Sequence, residues 1–196
     1  MYCERTCHIT RRSHMIKIMS QIFVEQLIMR ADKQRILDKD TYLFHQGDPV
    51  SSVFVVEEGF VELTRYQQDG TSIVLQRATS QTILAEASVY SSTYHCDGIA
   101  KLPTRVVALS KDVFLKQLVK DEAFSRLWSE HLAREVQSAR LRSEILSRKT
   151  VSERLDGWLT WYENKLPPKG QWKSVAVQIG VTHEALYREL ATRRSE

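Results

Sequence analysis

The sequence predicts an α+β protein: an antiparallel β-roll first, a long helix after it, and a compact unit of short helices at the end. Three observations predict it. Between Thr41 and Ala78, short runs rich in β-branched and aromatic residues alternate with turn dipeptides. From Asp121 to Arg148, 28 residues pass without proline or glycine. After Thr150, helical segments are separated by Pro167-Pro168 and by Gly180-Val181.

Taken in order, residues 1–20 are expected to be a flexible tail, since "MYCERTCHITRRSH" is polar and basic with no apolar core, and Met15 or Met19 is an alternative start. Residues 16–37 place Ile18, Ile22, Leu27 and Ile36 at roughly helical spacing among charges, which predicts one or two short helices. The runs "TYLFHQ", "SVFVVEEG", "FVELTRY" and "TSIVLQRA" then read as strands. Asp69-Gly70 is a hairpin signal because both residues tolerate positive φ, and Gly47-Asp48-Pro49 and Glu58-Gly59 mark two further turns. "RVVALS" is another strand, and "KDVFLKQLVKD" returns to helical periodicity. The domains expected are therefore a roll over 21–120, a helix over 121–148 and a terminal helical unit over 149–196.

The long helix would extend roughly 40 Å at about 1.5 Å per residue. Trp128, Leu132, Val136, Ala139 and Leu146 form a partly apolar seam at spacings of three, four and seven, interrupted by Ser143, which suits a helix-to-helix contact between two copies of the chain. Thr150-Val151-Ser152-Glu153 is a capping box and starts a new helix, which should run to the Pro167-Pro168 stop. Ala176 lies four residues before Gly180, where a small side chain lets two helices approach. Gly180 suits the left-handed end of the first, and Thr182 can cap the second. Val177, Ile179, Val181, Leu186 and Leu190 supply apolar contacts for this helix-turn-helix.

Composition narrows the class. With 42% hydrophobic residues the chain can bury real cores, and Lys+Arg 28 against Asp+Glu 24 gives a net charge of +4. From Arg148 onward there are nine basic and six acidic residues, so the excess collects in the last quarter, next to the helix-turn-helix. Three cysteines, Cys3, Cys7 and Cys96, are too few for a disulfide framework and favour a reducing, cytoplasmic setting. No run is long and apolar enough for a membrane span, and no phosphate loop, metal-protease spacing or nucleophile elbow points to an enzyme.

A strand-rich domain, a long helix, a capped hinge and a terminal helix-turn-helix in this order resemble the Crp/Fnr superfamily (cyclic-AMP receptor protein and fumarate-nitrate regulator) of bacterial transcription regulators. "LFHQGDPVSSVFVVEEGFVEL" is similar to its cyclic-nucleotide-binding-like β-roll, and "AREVQSARLRSEILSRKTVSERL" to its dimer helix and hinge. The resemblance implies a homodimer on palindromic promoter DNA, with RNA polymerase as a further partner. It also implies base reading from the first turns of the last helix, at His183, Glu184 and Arg188. Glu184 can accept from a cytosine amino group and Arg188 can fork onto guanine; Thr182 can hold a phosphate, as can Arg193 and Arg194 near the chain end. Where the family continues into a small two-stranded wing, this sequence reads "ATRRSE", so most of the wing is expected to be missing.

The effector pocket departs from the resemblance as well. Glu86, in Ala85-Glu86, retains the family's ribose acceptor, but the phosphate-binding Arg-Ser pair ten residues later reads Cys96-Asp97, and the adenine-contacting positions read Ala139 and Arg140. A thiol for a guanidinium and an added carboxylate disfavour an anion, so control by cyclic AMP is not expected and the effector, if there is one, is unidentified. His95 and Cys96 could serve a metal or haem, but adjacent ligands rarely share an ion, and no metal is expected; a buried thiol beside a hydrogen-bonded histidine is the ordinary reading. Cys3, Cys7 and His8 fall short of the four-cysteine cluster of oxygen-sensing relatives. The alternatives carried forward are a ligand-binding or protein-interaction module with an impaired, wing-less DNA-binding domain, and a haem, iron-sulfur or thiol redox sensor.

Overall fold

The structure is a computed structural model describing residues 21–162 and 164–195. The expected tail, with Cys3, Cys7, His8 and Ile18, lies outside the described residues. Contacts divide the chain into two compact units, one up to Leu132 and one from Ala133 onward.

Among its described residues the first unit opens with helix α1 (21–30), followed by eight strands: β1 (Lys33–Leu37), β2 (Tyr42–Phe44), β3 (Ser52–Glu58), β4 (Val61–Tyr66), β5 (Ser72–Ala78), β6 (Ile83–Leu84), β7 (Asp97–Ala100) and β8 (Thr104–Ser110). They form two four-stranded antiparallel sheets, ordered β1-β8-β3-β6 and β2-β7-β4-β5. Strands β3 and β8 of the first sheet are apolar on both faces, which explains their unbroken runs "VFVV" and "VVAL". Phe54, Val56, Val106 and Ala108 point into the roll with Leu63, Leu84 and Cys96. The alternate residues Val53, Val55, Val107 and Leu109 meet the helices through Phe23, Leu27, Phe114 and Phe124.

Gly59 closes the β3–β4 turn at φ 99° and Gly70 the β4–β5 hairpin at φ 83°. Helix α2 (Lys111–Lys120) begins where Ser110 accepts from the Val113 amide, and helix α3 (Glu122–Ser147) where Asp121 accepts from the Phe124 amide at 3.0 Å.

Two sequence expectations are corrected in this unit. Helical periodicity does not continue through Ile36, which lies on β1 and is 79% exposed. The pairing of β1 with β8, from Lys33↔Ala108 to Leu37↔Thr104, overrides the local pattern. Trp128, placed by its spacing in a seam between two copies, is buried: it meets Phe114 edge-on at 4.9 Å and lies 6.0 Å from Phe23. Leu132 packs against the same cluster. The opening turns of α3 are thus part of the first unit's core.

The second unit contains the remainder of α3, then α4 (Val151–Trp161), α5 (Trp172–Gln178) and α6 (His183–Ser195). Its core joins Ile145, Leu155, Trp158, Val175, Ala176, Ile179, Leu186 and Leu190. Among the described residues no helix is long and apolar enough to cross a membrane.

Candidate functional site

In the second unit, α4 starts from the expected capping box. The Thr150 hydroxyl accepts from the Glu153 amide at 3.1 Å, and the Glu153 carboxylate accepts from the Thr150 amide at 3.0 Å. The helix is shorter than the Pro167-Pro168 stop suggested: it ends at Trp161, and Asn164 takes a left-handed conformation at φ 57°. Asparagine is among the few side chains that adopt this readily, and its amide donates to the Leu159 carbonyl at 2.9 Å.

The turn between α5 and α6 follows its sequence signals. Ala176 is buried, its carbonyl accepts from the Val181 amide at 3.0 Å, and Gly180 sits at φ 67°. The Thr182 hydroxyl accepts from the Ala185 amide at 3.2 Å and caps α6. Leu186 and Leu190 bury one side of α6, while Thr182, His183, Glu184 and Arg188 stay exposed on its opening turns. Glu184 is held in its ionised form: its own backbone amide, the Thr182 hydroxyl, His183 and Arg188 all lower its carboxyl below the usual range. His183 Nε2 lies 2.7 Å from Glu184 Oε1. Tyr187 packs against Trp172, with ring centroids 5.3 Å apart.

The two arginines expected to reach phosphate differ. Arg194 is exposed, with its guanidinium 5.8 Å from the Trp172 ring and Nε donating to the Leu190 carbonyl. Arg193 is turned into the unit. It donates to Asp156 and Glu189, both at 2.6 Å, and to the hydroxyl and carbonyl of Ser152 at 2.7 and 3.1 Å. Its phosphate role is therefore corrected: the guanidinium is used in tying α6 to α4.

Sequence reasoning missed Arg154. Its guanidinium donates to four carbonyls from two separate stretches: Leu146 (3.2 Å) and Arg148 (2.8 Å) at the end of α3, and Ile179 (3.3 Å) and Gly180 (2.9 Å) at the turn. Nothing local marks it out from other helix-surface arginines, because all its acceptors are backbone atoms brought in by folding.

In the first unit, Glu86 begins a single turn of 3-10 helix, Glu86–Ser88, preceded by Ala85 at φ 68°. A side chain in that conformation costs about 1–2 kcal/mol. The Ser88 hydroxyl and His95 Nδ1 are 2.7 Å apart. Arg65, a residue that the sequence reading passed over, donates twice to the His95 carbonyl, at 3.1 and 3.0 Å. Burial lowers the His95 pKa, assisted by the Arg65 charge. Cys96 is buried in the roll core and its thiol is pushed up to about 11, chiefly by desolvation, with Arg65 opposing. This is the buried thiol beside a hydrogen-bonded histidine.

Asp97 does not share the roll interior. Gly98 packs on Phe44 and Ala100 lies in the core, so strand alternation turns Asp97 to the other face of the sheet, where it accepts from the Gln46 amide at 2.8 Å. Contrary to the sequence expectation, the Asp97 carboxylate does not add its charge to the roll interior. Ala139 and Arg140 are exposed on α3 in the second unit, as are Val136 (47%) and Leu146 (38%). Among the described residues no three histidine, cysteine or acidic side chains converge as a metal site.

The thiol chemistry is testable. At pH 8 the folded chain is expected to leave Cys96 unalkylated by iodoacetamide, whereas urea-unfolded chain reacts, as read by peptide mass mapping. Because the folded thiol titrates near 11 and the unfolded one near 9.0, the unfolded chain releases its proton first as pH rises. Stability from this group is present below pH 9 and is lost between 9 and 11. Rapid labelling at pH 8 without unfolding would contradict the burial.

Residues 34–121 match the family model described as the cyclic nucleotide-binding domain. The anaerobic regulatory protein of Bacillus subtilis (strain 168) is 25% identical over 119 residues, which is 58% of this chain and 50% of that protein; the chain spans about half the length of this curated relative. Among solved structures, FixK2 from Bradyrhizobium japonicum superposes with a TM-score of 0.63 at 20% identity, covering 83% of this chain and 84% of its own. The catabolite activator protein of Thermus thermophilus superposes with a TM-score of 0.55 at 21% identity, covering 88% and 83%. These likenesses show a shared fold.

Proposed function

We propose, for a chain that carries a cyclic nucleotide-binding domain and has the fold of Crp/Fnr-type transcriptional regulators, that it is a homodimeric, sequence-specific DNA-binding regulator of transcription. The observation that carries this reading is α6 itself. It is capped by Thr182, anchored on one side by Leu186 and Leu190, and presents His183, Glu184 and Arg188 from exposed opening turns. Such a helix can enter the major groove, with Glu184 accepting from a cytosine amino group and Arg188 forking onto guanine O6 and N7. Binding requires His183 to give up its contact with the Glu184 carboxylate, leaving the imidazole for phosphate or a base edge. Thr182 and Arg194 add phosphate contacts that position without specifying.

Val136, Ala139 and Leu146, exposed along α3, support pairing of two copies, and a symmetric dimer calls for a palindromic site with half-sites one DNA turn apart. A buried, neutral thiol at the position of the relatives' phosphate-binding arginine supports control by something other than cyclic AMP.

The test is gel-shift binding to palindromic promoter DNA at stated salt. Glu184→Ala is expected to relax selectivity at one base pair by roughly tenfold to a hundredfold, about 1–3 kcal/mol. Equal loss of affinity for all sequences would show that Glu184 does not read a base. Wild-type binding no tighter to the palindrome than to random DNA would remove the regulator reading altogether.

A further inference from the structure

Asp97, turned away from the roll interior, belongs to a second polar site on the outer face of the sheet β2-β7-β4-β5. It stands directly opposite Thr64 in the β4–β7 pairing, so both side chains lie on that face with their Cβ atoms about 5 Å apart. An outer sheet face is ordinarily wet, yet Thr64 is 4% exposed and Asp97 8%. Beside them, the neighbouring Tyr66 and, more weakly, the Asp97 charge push the Tyr42 phenol pKa up. The His45 ring stacks on Tyr42 at 4.1 Å, with Nδ1 3.6 Å from Asp97 Oδ1. The Gln46 amide occupies Asp97 Oδ1, while the Thr64 hydroxyl, buried, has no hydrogen-bond partner among the described residues. A buried hydroxyl left without a partner is destabilising, and folds retain such groups where a ligand or water completes them.

We propose that this site binds a primary alkylammonium group of a free small amine. An –NH3+ head carries three donors and no acceptor, and the buried pair offers acceptors to meet it: the Asp97 carboxylate and the Thr64 hydroxyl oxygen. The carboxylate neutralises the charge, and the tyrosine rings at the rim favour a cation and shelter its alkyl tail. The site lies on the opposite face of the sheet from Cys96, and the proposal stands independently of the DNA reading.

The test titrates the full chain with n-butylammonium chloride and follows the backbone amide signals of Thr64 and Asp97 by NMR, with n-butanol, tetramethylammonium chloride and potassium chloride as parallel arms. A saturable response to n-butylammonium alone is expected. Asp97→Asn keeps an oxygen for the Gln46 amide but removes the charge, and should weaken binding at least about tenfold. Thr64→Val replaces a partnerless hydroxyl by a methyl of the same shape, so it should raise the melting temperature of the free chain while weakening amine binding. That pair of opposite changes separates a ligand contact from a structural role. Equal responses to potassium chloride or n-butanol, a tetramethylammonium response as strong as that to n-butylammonium, or unchanged affinity in either variant overturns the proposal.

Discussion

Gly59→Ala is expected to destabilise the first unit by roughly 3–5 kcal/mol, combining backbone strain with overpacking. At φ 99° a side chain is strained whatever the space around it, and here there is none. An added Cβ would run into the Thr104 side chain and the backbone of Pro103 and Thr104. Those atoms cannot move cheaply, because the Thr104 hydroxyl accepts from the Phe60 amide at 3.0 Å and donates to the Leu102 carbonyl at 2.7 Å, tying the β3–β4 turn to the start of β8. Gly70→Ala supplies the comparison. Its φ of 83° is also positive, but nothing lies within 4 Å of the added Cβ, so only the conformational cost of about 1–2 kcal/mol applies. Urea denaturation of the two variants side by side measures the difference. Equal midpoints would mean that the close approach at Thr104 carries no weight.

The second large effect is expected at Arg154. Arg154→Met keeps an unbranched side chain of similar reach and removes every donor, leaving four carbonyls to find water at the junction of α3, α4 and the α5–α6 turn. Hydrogen bonds from a charged donor contribute about 1.5–3 kcal/mol each and are not additive at one guanidinium, so a loss of roughly 2–4 kcal/mol is expected in the second unit. Arg154→Lys keeps the charge but not the fork, and a single ammonium cannot span acceptors at both Leu146 and Gly180. It should therefore recover only a minor part of the stability. Chemical unfolding followed by Trp158 and Trp172 fluorescence reports the result. A lysine variant as stable as wild type would show that charge alone suffices. On the proposed function, both variants should also bind palindromic DNA more weakly, because Gly180 and Thr182 fix where α6 begins.

Much of the architecture was legible because its signals are local. The capping box at Thr150, the hairpin at Asp69-Gly70 and the Ala176–Gly180–Thr182 turn all involve residues within a few positions of one another. The double-sided burial of β3 and β8 is likewise visible as runs of consecutive apolar residues. The misread elements share a different cause. Ile36 was taken by strand pairing with a segment some seventy positions away, and Trp128 by an aromatic cluster built on Phe23 and Phe114. The end of α4 came early because Asn164 could turn the chain before the two prolines were reached.

The candidate sites divide in the same way. By itself the sequence determined the order of elements, the two helices around Gly180 and the exposed start of α6, since helix caps, turn residues and a 3.6-residue period need nothing beyond their immediate neighbours. Only the tertiary structure decided which charges are available to act. Arg193 meets Asp156, 37 residues away, and so is spent inside its unit; Arg154 reaches Gly180 across 26 residues; Asp97 accepts from Gln46 across 51 and leaves the roll interior for the opposite face of its sheet. The physical reason is that a charged side chain goes to whichever partners folding brings within about 3 Å, and those partners are set by contacts between distant segments rather than by the residues beside it.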